Sequence, residues 1–589
     1  MPDNPSLAEN AANEVDRQVV EKLKSNESFI VEAGAGAGKT YSLKKALRHV
    51  IDERGLDLIK NNQQVACITY TEAATDELRK DLDNNSAAWI STIHSFCWSL
   101  LNRFQSALRS ELTSLPAWSE KLAEMDGTQD REVTYDQGYR KYDDKKIYLH
   151  HDDIPELMAL FLAKPKFVNI LASRFPIVFI DEYQDTNESL MESLKDNIMT
   201  PARPIILGLF GDHWQRIYDG VCGEVEHPRL QVIKKHANFR SDKKIVDALN
   251  KMRPELEQEP NNTGSPQGEI RVYHTNSWNG IRGTGAHKGG SISDQAATGY
   301  FNTLQSMLAQ DGWDLSAKYT KFLLLTNTML AKEQGYENLL NSFPYPYTDR
   351  LMQKGDDYIA FFADTVEPAV NAYQAKEYGE MFRVLGKRLR IKNHAEKRQF
   401  ADDLDRLIAL RATGTIKDVI SLLTATKHPR IPERIYKLEE EYEQLLMIPE
   451  EDRDEDQQRK IDRLTKLHSV AYREVVEIAK YIDGKTPFST KHKVKGAEFE
   501  NVVIVFSQGW SKYNFNKMLS WKSMDNVPAT DRDRKFFEDN RNLFYVVCSR
   551  PRTKLALLFT HDLSVDAIST LKSWFGEATV TDLALLESA

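Results

Sequence analysis

The chain has 589 residues, of which 41% are hydrophobic, with a formal net charge of −9 and a pI near 6.0. That length exceeds the size at which one core keeps growing, so several domains are expected, and the acidic balance excludes a global basic field, leaving any nucleic-acid contact to local side chains. Four cysteines without C-x-x-C spacing exclude a disulfide framework, the N-terminus has no signal-peptide segment, and no run approaches the roughly 20 apolar residues of a membrane span, so a cytoplasmic protein with no membrane partner is expected.

In chain order, Glu14 to Lys24 has the spacing of an amphipathic helix and carries Gln18. Ser28 to Ser42 follows as SFIVEAGAGAGKTYS: an apolar strand, a loop of alternating glycines, and a helix opened by Lys39 and Thr40. Gly34, Gly36 and Gly38 lack a Cβ, so backbone N–H groups can turn in on a phosphate at a helix N-terminus, with only Ala35 and Ala37 between them and Ala33 before them. Lys39 is placed for the β and γ phosphates and Thr40 for Mg²⁺. The pattern G-x-x-x-x-G-K-[ST] is met except at Ala33, a position that needs a small side chain more than it needs glycine.

Short apolar runs at 65–70, 176–180, 204–210, 321–325, 502–506 and 555–559 read as buried parallel strands of α/β layers, too many and too far apart for one sheet. Residues 102–164 are polar, aromatic and helix-biased, with no strand signal. Residues 349–483 are helical in pattern and include a charged hairpin, 432–446 and 457–482, around an acidic loop. The HHDD stretch ending at Asp153 holds ligand-type side chains, but neighbours in sequence rarely converge on one ion; Asp153 reads as a helix N-cap and no transition metal is expected. The run FIDEYQDTN, Phe179 to Asn187, ends a strand in paired acids, with Asp181 suited to hold a metal and Glu182 to orient and deprotonate water.

With AGAGAGKT upstream, DEYQDTN resembles the UvrD/Rep/PcrA group of superfamily 1 helicases. CITYTEAATDEL (67–78) is similar to motif Ia, STIHSF (91–96) to Ib, GDHWQRIY (211–218) to III, NFRS (238–241) to IV, TKHKVKGAEF (490–499) to V and YVVCSR (545–550) to VI. The resemblance implies an α/β fold of two RecA-like motor domains, 1A (1–101 and 165–225) and 2A (226–348 and 486–589), with mainly helical inserts 1B (102–164) and 2B (349–485). It implies Mg²⁺-ATP in the cleft, a 3′ to 5′ translocase or helicase activity, and single-stranded DNA or DNA ends as partner. Gln215, Arg240 and Arg550 are then expected at the γ-phosphate, Gln18 and Phe239 at adenine, and Glu498 on the ribose or phosphate side. Tyr70, His94, Thr490 and His492 are expected on the DNA strand, by stacking or through phosphates.

Three departures stand out. The family's aromatic and arginine after motif III are replaced by DGVCG, with Trp214 out of register; its arginine after the P-loop threonine is Tyr41, so adenine is expected between two rings; and 1B is small. The stretch after Arg550 is too short for a fused nuclease. The alternative reading is a nucleotide-gated DNA-sensing subunit acting with a separate nuclease or ATPase chain, as compact relatives in anti-phage systems such as Gabija invite.

Overall fold

Apolar runs that cannot face water on either side become strands covered on both faces, and here they build two six-stranded, wholly parallel sheets. The computed structural model describes residues 5–135, 140–199, 205–261, 264, 267–285, 289–324, 327–344, 348–352, 354–386, 392–484, 486–489, 495–507, 513–522 and 524–586. The first sheet runs in the order Ala88–Thr92, Val65–Thr69, Ile177–Asp181, Ile206–Gly211, Ser28–Ala33, Leu230–Lys235. The second runs Phe488–Ser489, Thr320–Leu324, Phe499–Phe506, Pro551–Phe559, Glu269–His274, Val580–Asp582. These are two RecA-like motor domains. Among the described residues no helix is long and apolar enough to cross a membrane.

On one face of the first sheet Phe29, Val31, Cys67 and Phe179 pack under the helices Leu7–Ser25 and Lys39–Lys60. On the other, Ile30, Ile68 and Ile180 open a core that continues through Phe96 and Leu100 into Trp118, Ile147 and Phe161 of the first insert. That insert is therefore fused to its motor domain by a shared interior. The second insert is joined in the same way, since Phe322, Val503 and Leu558 of the second sheet share one core with Phe362, Leu404 and Ile478.

Several expectations are corrected. The strand Leu230–Lys235 pairs with Ser28–Ala33, so the first sheet extends past the boundary expected at 225. The first insert carries a small sheet of Glu132–Tyr135, Lys141–Tyr142 and Lys146–Leu149 where no strand was expected; its strands are too short to leave a periodic signal. The expected helix 457–482 is two, Glu455–His468 and Arg473–Ile482, because the chain between them bonds backbone to backbone with the turn at Gly414 and Ile416. Asp153 is not an N-cap. It is a buried carboxylate that accepts from the Trp118 indole at 3.0 Å and pairs with Arg140 at 2.7 Å, satisfying an interior indole instead of a helix end.

Candidate functional site

Ligands of parallel α/β sheets sit beyond the carboxyl ends of the strands, and the chemistry-bearing residues of the first sheet gather there. After Ser28–Ala33 the loop turns through Gly36 (φ 75°) and Gly38 (φ 73°), left-handed conformations that favour glycine, and Lys39–Lys60 begins with no side chain capping its N-terminus. The loop is roofed by Asn238, whose Nδ2 donates to the Ala35 carbonyl at 3.1 Å, and the Phe239 N–H donates to the Gly36 carbonyl at 2.9 Å. A Cβ at Gly36 would lie 2.8 Å from both Asn238 Oδ1 and Arg240 Cβ, so this position admits glycine alone.

The Ile177–Asp181 strand delivers the acid pair beside this loop. Lys39 Nζ stands 3.8 Å from Glu182 Oε1. Glu182 itself has φ 47° and ψ 47°, a left-handed conformation costing of order 1–3 kcal/mol in a residue with a Cβ, which aims its carboxylate back toward the loop while Gln184 Nε2 holds it at 2.5 Å. Burial, with Glu182 alongside, pushes the Asp181 carboxyl up to about 7. Burial works to raise Glu182 too, but Lys39 and Lys495 outweigh it and hold this carboxylate below its usual range.

The second motor domain closes the site. Arg550 is fully buried, and its guanidinium meets only neutral groups: the Val546 carbonyl at 2.7 Å, Ser549 Oγ at 2.9 Å, and at 3.4 Å both the Ala497 carbonyl and Gln215 Oε1. Among the described residues no carboxylate pairs with it, and burial beside Arg240 pulls it down to about 9. Gln215 is held by Asp212 at 2.7 Å. Arg240, by contrast, is paired with Glu498 at 3.1 Å and donates to the Ser549 carbonyl at 3.0 Å; Glu498 also holds Arg552.

Tyr41 and Phe239 are 57% and 42% exposed and both lie near Gly38, with Tyr41 Cβ and the Phe239 ring edge each 3.8 Å from where a Gly38 Cβ would be, while Lys45 Nζ stands 4.8 Å from the Tyr41 ring centroid. Thr40 is exposed at the helix start. Gln18 donates to Glu14 on its own helix at 2.8 Å. Tyr70 is 46% exposed and stacks on Tyr218, the last residue of the GDHWQRIY run, with centroids 6.0 Å apart. Trp214 is no substitute, being buried under the Arg541 guanidinium, 3.9 Å from the ring centroid. His94 stacks on His151. Thr490 and His492 lie outside the described residues.

Beneath the loop lies a charge network that sequence reading missed. Arg253, fully buried, bridges Glu32 at 2.8 Å and Asp212 at 2.6 Å, while His213 and Tyr183 each reach Glu32 at 2.8 Å. Asp212 is buried, yet Arg253 and Lys39 hold it down at about 2. Glu32, Asp212 and His213 have the spacing of metal ligands, but Arg253 already supplies their cation. The signal was the acid inside the apolar run FIVEAG; nothing in NKMRPEL marks Arg253.

A phosphate-type loop and an acid pair on one parallel sheet, faced by arginines from a second, define a two-domain P-loop motor. The UvrD/REP helicase N-terminal domain matches residues 12–125 and 108–220, and the UvrD-like helicase C-terminal domain matches residues 299–562; the chain belongs to this helicase family. It is 23% identical to the Gabija protein GajB of Bacillus cereus (strain HuB5-5), over 95% of this chain and 96% of that protein. It is 25% identical to the ATP-dependent DNA helicase PcrA of Staphylococcus aureus (strain Mu50 / ATCC 700699), over 41% of this chain and 40% of that one. The Staphylococcus epidermidis PcrA is 23% identical over 38% and 37%.

Proposed function

We propose that this chain is a DNA-dependent ATPase that uses Mg²⁺-ATP hydrolysis to move 3′ to 5′ along single-stranded DNA or to unwind it. The observation that carries the reading is Arg550: a fully buried guanidinium whose hydrogen-bond partners among the described residues are all neutral, Gln215 of the first motor domain among them. A buried cation without an anion is costly, and a polyphosphate supplies the missing charge.

The residues fit that ligand. An uncapped helix N-terminus and left-handed glycines offer N–H groups to phosphates, and two adjacent acids, one pushed up to about 7, have the chemistry of a site for a divalent cation. Mg²⁺ would be held by Thr40 and Asp181, where it supplies charge neutralisation for in-line displacement at the γ-phosphate. Lys39 fixes the β and γ phosphates. Glu182, kept ionised by Lys39 and Lys495, takes a water proton on its carboxylate. Gln215 and Arg550 meet the transferring oxygens, Arg550 acting where charge develops, and Tyr41 and Phe239 sandwich the base.

Lys39→Ala is expected to weaken ATP binding and abolish turnover together. Arg550→Ala should leave ATP-analogue affinity within about tenfold while lowering DNA-stimulated turnover by at least about two orders of magnitude. Near wild-type hydrolysis by Arg550→Ala, measured with DNA at saturating ATP, sinks the two-domain reading. The full-length similarity to a Gabija protein favours a second reading as well, a DNA-sensing subunit of an anti-phage nuclease complex. Strand-displacement assays on tailed duplexes, alone and with any co-purifying chain, separate the two.

A further inference from the structure

His94 opens the helix Ile93–Leu101 at the end of the strand Ala88–Thr92, and His151 lies in the turn between Lys146–Leu149 and Asp153–Leu162 of the first insert. Their rings are stacked face to face, with centroids 3.4 Å apart and planes within 19°. His94 is half-buried and His151 exposed. Behind them Tyr135 shares a hydrogen bond with His151 Nδ1 at 2.8 Å, its ring tilted 30° from the imidazole, and Trp98 meets Tyr135 edge-on at 6.0 Å. Four rings from the motor domain and the insert thus adjoin one another. The strand Val65–Thr69, which Tyr70 follows, is the immediate neighbour of Ala88–Thr92 with Thr69 in register with Thr92, and neighbouring strands lie about 5 Å apart. Tyr70 and His94 therefore leave neighbouring strand ends, and each carries a ring stack, on Tyr218 and on His151.

Two imidazoles this close cannot both be charged. Burial and the neighbouring His151 push His94 down to about 4, and burial lowers His151, with Asp152 opposing and His150 adding to the effect. At neutral pH the pair offers π faces and no phosphate-neutralising charge.

We propose that the His94–His151 stack, backed by Tyr135, is a base-stacking shelf that carries single-stranded DNA from Tyr70 and Tyr218 onto the first insert. This rests on the DNA-motor reading above, and it assigns His151 and Tyr135, on the insert, to the strand path. It also gives His94 a stacking role and not a phosphate contact.

The test measures affinity for a fluorescent single-stranded oligonucleotide across a salt series. His151→Ala, at an exposed position, is expected to weaken binding by about 5- to 150-fold, the range for one base–aromatic stack, with the log–log salt slope unchanged. His151→Phe and His94→Phe should stay within about threefold of wild type, since a phenyl ring stacks but never carries charge. Tyr70→Ala is the comparator. If Tyr70→Ala weakens binding while His151→Ala does not, the shelf is wrong and the DNA reading survives. If His151→Ala flattens the slope by about 0.7 and phenylalanine fails to restore affinity, His151 is a phosphate contact and the shelf is again wrong. Wild-type protein that binds no single strand at low salt overturns the DNA reading and the shelf together.

Discussion

Lys235 ends a strand in full burial beneath the phosphate-type loop, donating to the Gly38 carbonyl at 3.1 Å and to Ser42 Oγ at 2.8 Å, with Asp16 one hydrogen bond further on. Burial pulls its ammonium down to about 8, against about 10.4 in an unfolded chain. Below pH 8 both states hold the proton and the folded state bears the whole desolvation cost. Between about 8 and 10.4 the unfolded chain binds more protons, so this residue makes stability rise with pH, by about 1.4 kcal/mol per unit. Lys235→Met should therefore gain on wild type below pH 8 and lose that advantage, about 3 kcal/mol in all, by pH 10.5. Thermal melts of both proteins at pH 7.5, 9 and 10.5 check this, and parallel curves would refute it. Neither Lys235 nor Arg253 could be read from sequence, because a basic residue in a half-polar strand or at a helix end looks solvated until its surroundings are known. The placement of Lys39, Asp181 and Glu182 beside the loop was legible because it follows from a local backbone shape, strand then turn, that the sequence itself specifies.

Elements follow the same division. The runs at 65–70, 176–180, 321–325, 502–506 and 555–559 were readable as strands because central strands are buried on both faces and must be apolar throughout. Ala88–Thr92 and Leu230–Lys235 are edges of the first sheet, and Glu269–His274 has only the short Val580–Asp582 beyond it; each keeps partly exposed positions that break the apolar run. The one-turn helix Tyr183–Asp185 after the acid pair carries a contact that crosses between motor domains: Asp185, buried, is ion-paired with Lys495, whose ammonium also stands 5.1 Å from the Tyr218 ring centroid. Lys495 thereby touches both the acid-pair segment and the aromatic pair proposed for DNA. Lys495→Ala leaves a buried carboxylate alone, a loss expected at about 3–5 kcal/mol. Asp185→Asn with Lys495→Met removes both charges and should regain most of that stability, yet stay deficient in DNA stimulation of ATPase activity. Full stimulation in the stable double variant would show that the pair is only structural.

At the scale of the molecule the two motor domains meet through polar contacts, Arg216 with Asp539 at 3.0 Å, Asn542 with the His213 and Arg216 carbonyls and Lys495 with Asp185, and through an apolar core in which Ala35, Trp214 and Ile217 of the first pack with Phe537, Leu543 and Tyr545 of the second. The same molecule carries a net charge of −9, so a polyanion is repelled by the chain as a whole and must be held by local cations and stacked rings. Two terms then separate by their salt response: released counterions give a log–log slope of about −0.7 per neutralised phosphate, and stacking gives none. A strand held at about four phosphates should show a slope near −3, steep enough to cost roughly 60-fold in affinity between 50 and 200 mM salt. Affinity measured over that range, with a single-stranded oligonucleotide and no nucleotide, checks it. A flat response would mean that stacking alone holds the strand and that backbone tracking, which directional movement along any sequence requires, is not how this chain binds DNA.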